Sequence, residues 1–313
     1  MDTMTRFAYV AAALLIVCSA AADEGRARSD RLEDFDAFCR FVADDNASFE
    51  LKKTDWPAAC AASRPAAVEA VDRSAFIGVV ERTLAELYNA HAHLGTSTPK
   101  SPRLVPTDAD QYARWQGAEA IVEVRAASTA LAAGLRPGLR ALEIDGRSVE
   151  DVVAAAMPQH LTALDPAAHD WALRVALAGH QDRKAVQVRA ELDGRRGTFA
   201  FVPKRTRPDR PLTATRVGTV GVIEIHDALD DSKLVPCFGE ARETGIGHVW
   251  IELVGHWAGS MGEGIAIGLN AMRGAPVIGA LMAGLLGALD ELKRAHAGVV
   301  ARIPAEHTAA RCP

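Results

Sequence analysis

The stretch "VGHWAGSMGEGIAIGLNAMRG", Val254 to Gly274, decides how the rest of the chain is read. Before it, "VWIELV" (Val249 to Val254) is rich in the branched and aromatic residues of a buried strand, and after Ser260 the apolar residues of "EGIAIGLNAM" recur at helical spacing. The pattern predicts a strand-to-helix corner with Ser260 at the turn. Gly259 and Gly262 allow a sharp bend and a close approach to the backbone. Two readings fit these residues. Ser260 is an N-cap whose capping box is completed by Glu263 three residues on. Alternatively it is a nucleophile at a helix N-terminus, where the dipole and first-turn amides stabilise a developing oxyanion. "AGSMG" differs from the G-x-S-x-G elbow only in Ala258, which occupies the first glycine slot.

The first residues set the compartment. Arg6, the apolar run from Phe7 to Cys18, and Ala20 and Ala22 before Asp23 have the order of a secretory leader. A signal peptide is therefore expected over 1–22, with export to a periplasmic or extracellular space. A lipid anchor at Cys18 is the lesser alternative, since Val17 is a poor residue before a lipidated cysteine. In an oxidising compartment Cys39 and Cys60 are candidates for a disulfide closing a short loop; two buried thiols on packed helices is the other reading. Cys237 and Cys312 have no partner that the sequence identifies. The net charge of −5 is unchanged without the leader, because Asp2 and Arg6 cancel, and this argues against a nucleic-acid partner. The apolar run Ala275 to Leu289 is shorter than a span and carries Pro276, so a buried strand and turn is expected there, with no membrane-spanning segment after leader removal.

Periodicity divides the remainder. Residues 23–105 read as a helical unit, in segments such as "LEDFDAFCRFVADD" and "RSAFIGVVERTLAELYNA". Residues 106–205 are β-rich, with strand-like "EAIVEVR", a short helix in "STALAAGLRPG", a helical insert near Leu161 to Ala178, and a hairpin turning at Asp193 and Gly194. The Pro- and Arg-rich "PKRTRPDRPLTATR", Pro203 to Arg216, reads as a linker. Residues 214–313 alternate buried-strand and helical runs, the mark of an α/β layer.

Taken together, "AAGLRPGLRALEIDG" (Ala132 to Gly146), "GHWAGSMGEGIAIGL" (Gly255 to Leu269), "APVIGALMAGLLGA" and "LYNAHAHLGT" (Leu87 to Thr96) resemble the C-terminal processing peptidases, the tail-specific serine protease family, in its tricorn-like branch. The resemblance implies an α/β (α+β multidomain) chain. It would comprise a helical N-terminal domain, a PDZ-like domain over 106–205 with a helical insert, and a shortened ClpP- or crotonase-like catalytic domain over 214–313. It implies peptide-bond hydrolysis through an acyl-enzyme on Ser260, with Met261 and Gly259 at the oxyanion site. His91 would be the base, His93 second, and Glu306 the orienting group by position. Glu263 is a secondary candidate, more often a cap than an acid. The resemblance implies polypeptide substrates, engaged along the chain or at their C-termini, and a mechanism that requires neither cofactor nor metal.

Three departures accompany the likeness. Leu285 stands where the processing branch has a lysine base, and Asn89 replaces the aspartate of a D-x-H-x-H-L pattern. The family's D-L-R-x-N-x-G-G turn is absent from "LVPCFGEARETGIGHVWIELVGHW", which implies reduced or absent activity unless the segment is replaced. Other readings stay open: a metal-dependent hydrolase using His91 and His93, a catalytically inactive PDZ-type binder of peptide ends, and a crotonase-like enzyme. His256, four residues before Ser260, reads as a solvent-facing residue at a strand end, with assistance to the serine site as the other reading.

Overall fold

The computed structural model describes residues 3–205, 210, 212–218, 220–225, 252–273, 276–285 and 287–305, with the backbone alone for 3–23 and for a few positions in later elements. Glu306, Cys237, Cys312 and most of the passage before Val254 lie outside the described residues. Helix α1 runs from Thr3 to Asp45, so the expected leader and the first mature residues share one helical path. Among the described residues no helix is long and apolar enough to cross a membrane.

Helices α2 (Trp56–Val68) and α3 (Arg73–Ala85) follow, each started by an aspartate, Asp55 and Asp72, that accepts a first-turn amide. Their apolar faces meet α1 in a core of Phe35, Phe38, Trp56, Phe76, Ile77 and Leu87. A disulfide between Cys39 and Cys60 joins α1 to α2. This core also takes in Val299 and, from β13 (Val300–Pro304), Ala301 and Ile303, so the N-terminal helices and this late strand pack as one body. Strand β13 lies between β1 (His93–Leu94) and β12 (Leu289–Lys293), antiparallel to both. Buried Asp34 fastens the β12–β13 turn to α1 by accepting from Arg294 Nε at 2.9 Å and the Ala297 amide at 2.7 Å.

The middle of the chain builds a second core. Strands β2 (Gln111–Gln116), β3 (Glu119–Val124), β4 (Arg140–Ile144), β6 (Val186–Leu192) and β7 (Arg195–Phe201) form one sheet in that order, with β5 (Arg147–Ser148) paired to β4. Helices α4 (Thr129–Ala132), α5 (Val149–Ala156) and α6 (Pro166–Ala178) complete it. Inward residues such as Val122, Ile144, Leu173, Leu177 and Val188 are fully or almost fully buried. The β6–β7 turn consists of Asp193 and Gly194 at φ 50° and 75°, the two positive values a two-residue hairpin with the strand twist requires.

The last part corrects three expectations. The linker assigned to Pro203–Arg216 ends in a strand, β8 (Leu212–Val217), which pairs with β9 (Val220–Ile225) as an antiparallel hairpin. Thr213 and Thr215 suit a pleated backbone, and the flanking prolines and arginines hid that signal. The parallel α/β unit is confined, among the described residues, to β10 (Glu252–Val254), α7 (Met261–Arg273) and β11 (Val277–Gly279), with β10 and β11 in register. The run after Pro276 is buried only in part: Ile278 is 51% and Leu281 85% exposed, while Ala283 and Leu285 are buried. An apolar run is equally compatible with a strand whose faces lie open, and only packing distinguishes the two.

Candidate active site

Ser260 sits at the corner between β10 and α7, as the sequence predicts, but its backbone is not that of an ordinary cap. The other capping residues, Asp55, Asp72, Ser128, Ser148 and Asp165, all have negative φ and accept a first-turn amide. Ser260 has φ +53°, a conformation a residue with a side chain rarely adopts and one that concentrates at functional turns. The bend presents the residue where strand becomes helix, half-buried beside exposed Met261.

Glu263 holds this turn from below. Its carboxylate, in a side chain only 2% exposed, accepts the Ser260 amide at 3.1 Å, the Gly284 amide at 2.8 Å and the Leu285 amide at 2.7 Å. The first bond is the backward half of a capping box; the other two tie in a loop more than twenty residues on. The same loop meets the turn again through the Ala283 amide, which donates to Ala258 O at 2.7 Å. A Cβ on Gly259 would lie 2.7 Å from Leu285 Cδ1, so a larger residue there requires the Leu285 side chain to shift. Leu285 therefore packs against the serine turn and supplies an amide to its carboxylate. A negative charge in the first turn of α7 is favoured by the helix dipole.

The histidines lie on other elements. His91 is buried in the turn before β1, with its amide donating to Asn89 Oδ1 at 2.9 Å. Asn89 serves this turn as an aspartate could, and its Nδ2 also donates to Ser48 Oγ at 3.1 Å, which an aspartate could not do. His93 pairs with Arg302 across β1 and β13, and its Nδ1 lies 3.1 Å from the His91 carbonyl. Burial pushes the His93 imidazole below its ordinary value. Ser260 and His93 are connected through the fold: the loop after β11 leads into β12, β12 pairs with β13, and β13 pairs with β1. Glu306 follows β13 outside the described residues. No group of three or more metal-ligating side chains occurs among the described residues.

His256 requires a correction. It is not solvent-facing but 6% exposed, stacked on Tyr112 at 4.2 Å between ring centroids. Its Nδ1 lies 2.8 Å from Leu281 O and its Nε2 3.2 Å from Glu123 Oε2. Trp257 next to it donates from Nε1 to Ala109 O at 2.9 Å and lies under the Arg125 guanidinium. The segment leading to Ser260 is thus docked on β2 and β3. No sequence pattern signalled Tyr112, Glu123 or Ala109 as its partners, because the contacts join residues more than 130 positions apart.

No protein-family model and no curated protein matches the sequence. Among solved structures, mature CPAF matches with a TM-score of 0.56 at 10% identity over 90% of this chain and 89% of that one. The chain shares the fold of mature CPAF. The photosystem II D1 C-terminal processing protease gives a TM-score of 0.45 at 13% identity, covering 89% of this chain and 88% of that one. Mature CPAF complexed with lactacystin gives 0.40 at 15% identity, with 56% of this chain matching only 35% of that chain. The fold is mixed α/β, as the sequence predicts.

Proposed function

We propose that this chain is an exported serine-type peptidase of the C-terminal processing type, tricorn-like branch, acting on polypeptides through Ser260. The observation that carries this reading is the positive φ of Ser260, against the negative φ of the other capping residues named above. A serine held in a sparsely populated conformation at a strand-to-helix corner is the arrangement of a nucleophile elbow. The likeness in fold to mature CPAF stands beside this observation. The 106–205 unit acts, in this reading, as a PDZ-like module.

His91 takes the Ser260 hydroxyl proton as Oγ attacks the scissile carbonyl carbon. The carbonyl oxygen gains the electron pair and is stabilised by the Met261 amide, with Gly259 shaping the turn beside it. When the C–N bond breaks, His91 gives that proton to the departing amine. Water then attacks the ester carbon, His91 removes its proton, and proton return to Oγ releases the acid. Glu306 is assigned to orient His91.

The test uses residues 23–313 and Ser260→Ala. A fluorophosphonate reagent should label the wild type at Ser260 and leave the variant unlabelled, and only the wild type should degrade an unfolded protein. A folded wild type that is neither labelled nor active refutes the peptidase reading.

A further inference from the structure

We infer that Tyr88 is a positioning residue for His91, tying the turn that carries this histidine to Lys52, Lys53 and, across to the 106–205 unit, Asp165. The inference rests on the peptidase reading for its consequence in activity, but not for its geometry.

Tyr88 follows α3, is 3% exposed and has φ +34°. Positive φ is uncommon in any residue with a side chain and a genuine outlier in one as bulky as tyrosine. Such a conformation persists only where the surroundings over-determine it, and it concentrates at functional sites. Both ends of Tyr88 are held. Its carbonyl accepts from Lys52 Nζ at 3.2 Å, and the same ammonium lies 4.3 Å from the centre of the Tyr88 ring. Its hydroxyl accepts the Lys53 amide at 2.6 Å and donates to Asp165 Oδ2 at 2.5 Å. A phenol oxygen used as acceptor and donor together is fixed in direction as well as in distance.

The anchor is itself rigid. Asp165 caps α6, its other carboxylate oxygen accepting the Ala167 amide at 2.9 Å. The segment before it is joined to the N-terminal helices by further bonds: the Thr162 amide donates to Lys53 O at 2.6 Å and the Asp55 amide to His160 O at 2.7 Å. The buried Glu86 carboxylate accepts the Gln159 and His160 amides, each at 2.9 Å. From Tyr88 the chain enters the histidine turn directly. There Asn89 Oδ1 accepts the His91 amide, Asn89 O accepts the Ala92 amide at 3.1 Å, and Asn89 Nδ2 holds Ser48. Without the Tyr88 hydroxyl, the Lys53 amide loses its acceptor and Asp165 its donor. The positive φ is then no longer enforced, and relaxation toward negative φ rotates the residues that follow, His91 among them.

The experiment compares the wild type with Tyr88→Phe and Thr162→Val. Phenylalanine keeps the ring beneath the Lys52 ammonium and forfeits both hydroxyl bonds. Valine at 162 removes a neighbouring bond of the same joint, Thr162 Oγ1 to Lys53 O at 3.0 Å, without touching the histidine turn. Two quantities are read: the rate of fluorophosphonate labelling against reagent concentration, and the NMR signals of the His91 ring, assigned by their loss in His91→Gln. Tyr88→Phe should lower the limiting labelling rate about tenfold or more at an unchanged half-saturating concentration, since a misplacement of about 1 Å can cost about a hundredfold. It should also shift the His91 ring signals, and Thr162→Val should do neither. A role confined to stability leaves both quantities at wild-type values in the folded variant. Wild-type values of either in Tyr88→Phe, or equal effects in Thr162→Val, overturn the inference. Should Tyr88→Phe not fold, Lys52→Met takes its place with the same outcomes, because it removes the bond to the Tyr88 carbonyl. If the wild type is not labelled, the peptidase reading fails by itself and the ring signals decide. A shift in Tyr88→Phe and none in Thr162→Val upholds the clamp; unshifted signals in Tyr88→Phe refute it.

Discussion

Removing the Glu263 carboxylate is the sharpest perturbation of the serine turn. The side chain is 2% exposed and accepts three backbone amides, those of Ser260, Gly284 and Leu285. Glu263→Ala leaves all three without their acceptor. The Leu285 bond is buried and the other two are part-buried, so water replaces some of the loss. Taking about 2 kcal/mol for the first and about 1 kcal/mol for each of the others gives about 4 kcal/mol. Glu263→Gln keeps one oxygen; placed at Oε2 it retains Ser260 and Leu285, while its amide group faces the Gly284 N–H, a loss of about 2 kcal/mol. Against a total stability of about 5 to 15 kcal/mol, both changes are large. Urea unfolding of residues 23–313 should order the midpoints wild type, Gln, Ala, with Ala lower by about 1 M or more. Hydrogen exchange should accelerate first at residues 260, 284 and 285. Wild-type midpoints and unchanged protection at those amides would refute the role given to this carboxylate.

Two further outcomes test other parts of the fold. Burial pushes Lys52 down to about 8 from 10.5, against the opposing pull of Asp165, so between these values the folded chain binds fewer protons than the unfolded one. Stability should rise with pH through that window, and Lys52→Met should flatten the rise in urea midpoints measured across it. Gly279 has φ +141°, and a Cβ there would lie 1.9 Å from Val254 O. Gly279→Ala should break the β10–β11 pairing and lower Tm by about 10 °C or more in a thermal melt, and a wild-type Tm would contradict the parallel register.

Local chemistry was legible in residue order. The Ser260 corner, the Glu263 capping bond, the Asp193–Gly194 hairpin and the α1 to α3 helices each depend on residues within a turn or two of one another, where propensity and periodicity act. Linear order does not report pairing between distant segments. The exposed Ile278 and Leu281, the strand hidden in the Pro- and Arg-rich segment, and the burial of His256 were decided by which surfaces meet. Likewise, nothing near Glu263 indicates that its second and third ligands are Gly284 and Leu285, and nothing near His256 indicates Glu123. Sequence alone determined that a serine stands at a strand-to-helix turn with a carboxylate three residues on. The tertiary structure decided that this carboxylate binds a distant loop and that a buried imidazole docks the turn on a second sheet. Hydrogen bonds across such distances form only once the hydrophobic cores have fixed the backbones that carry them.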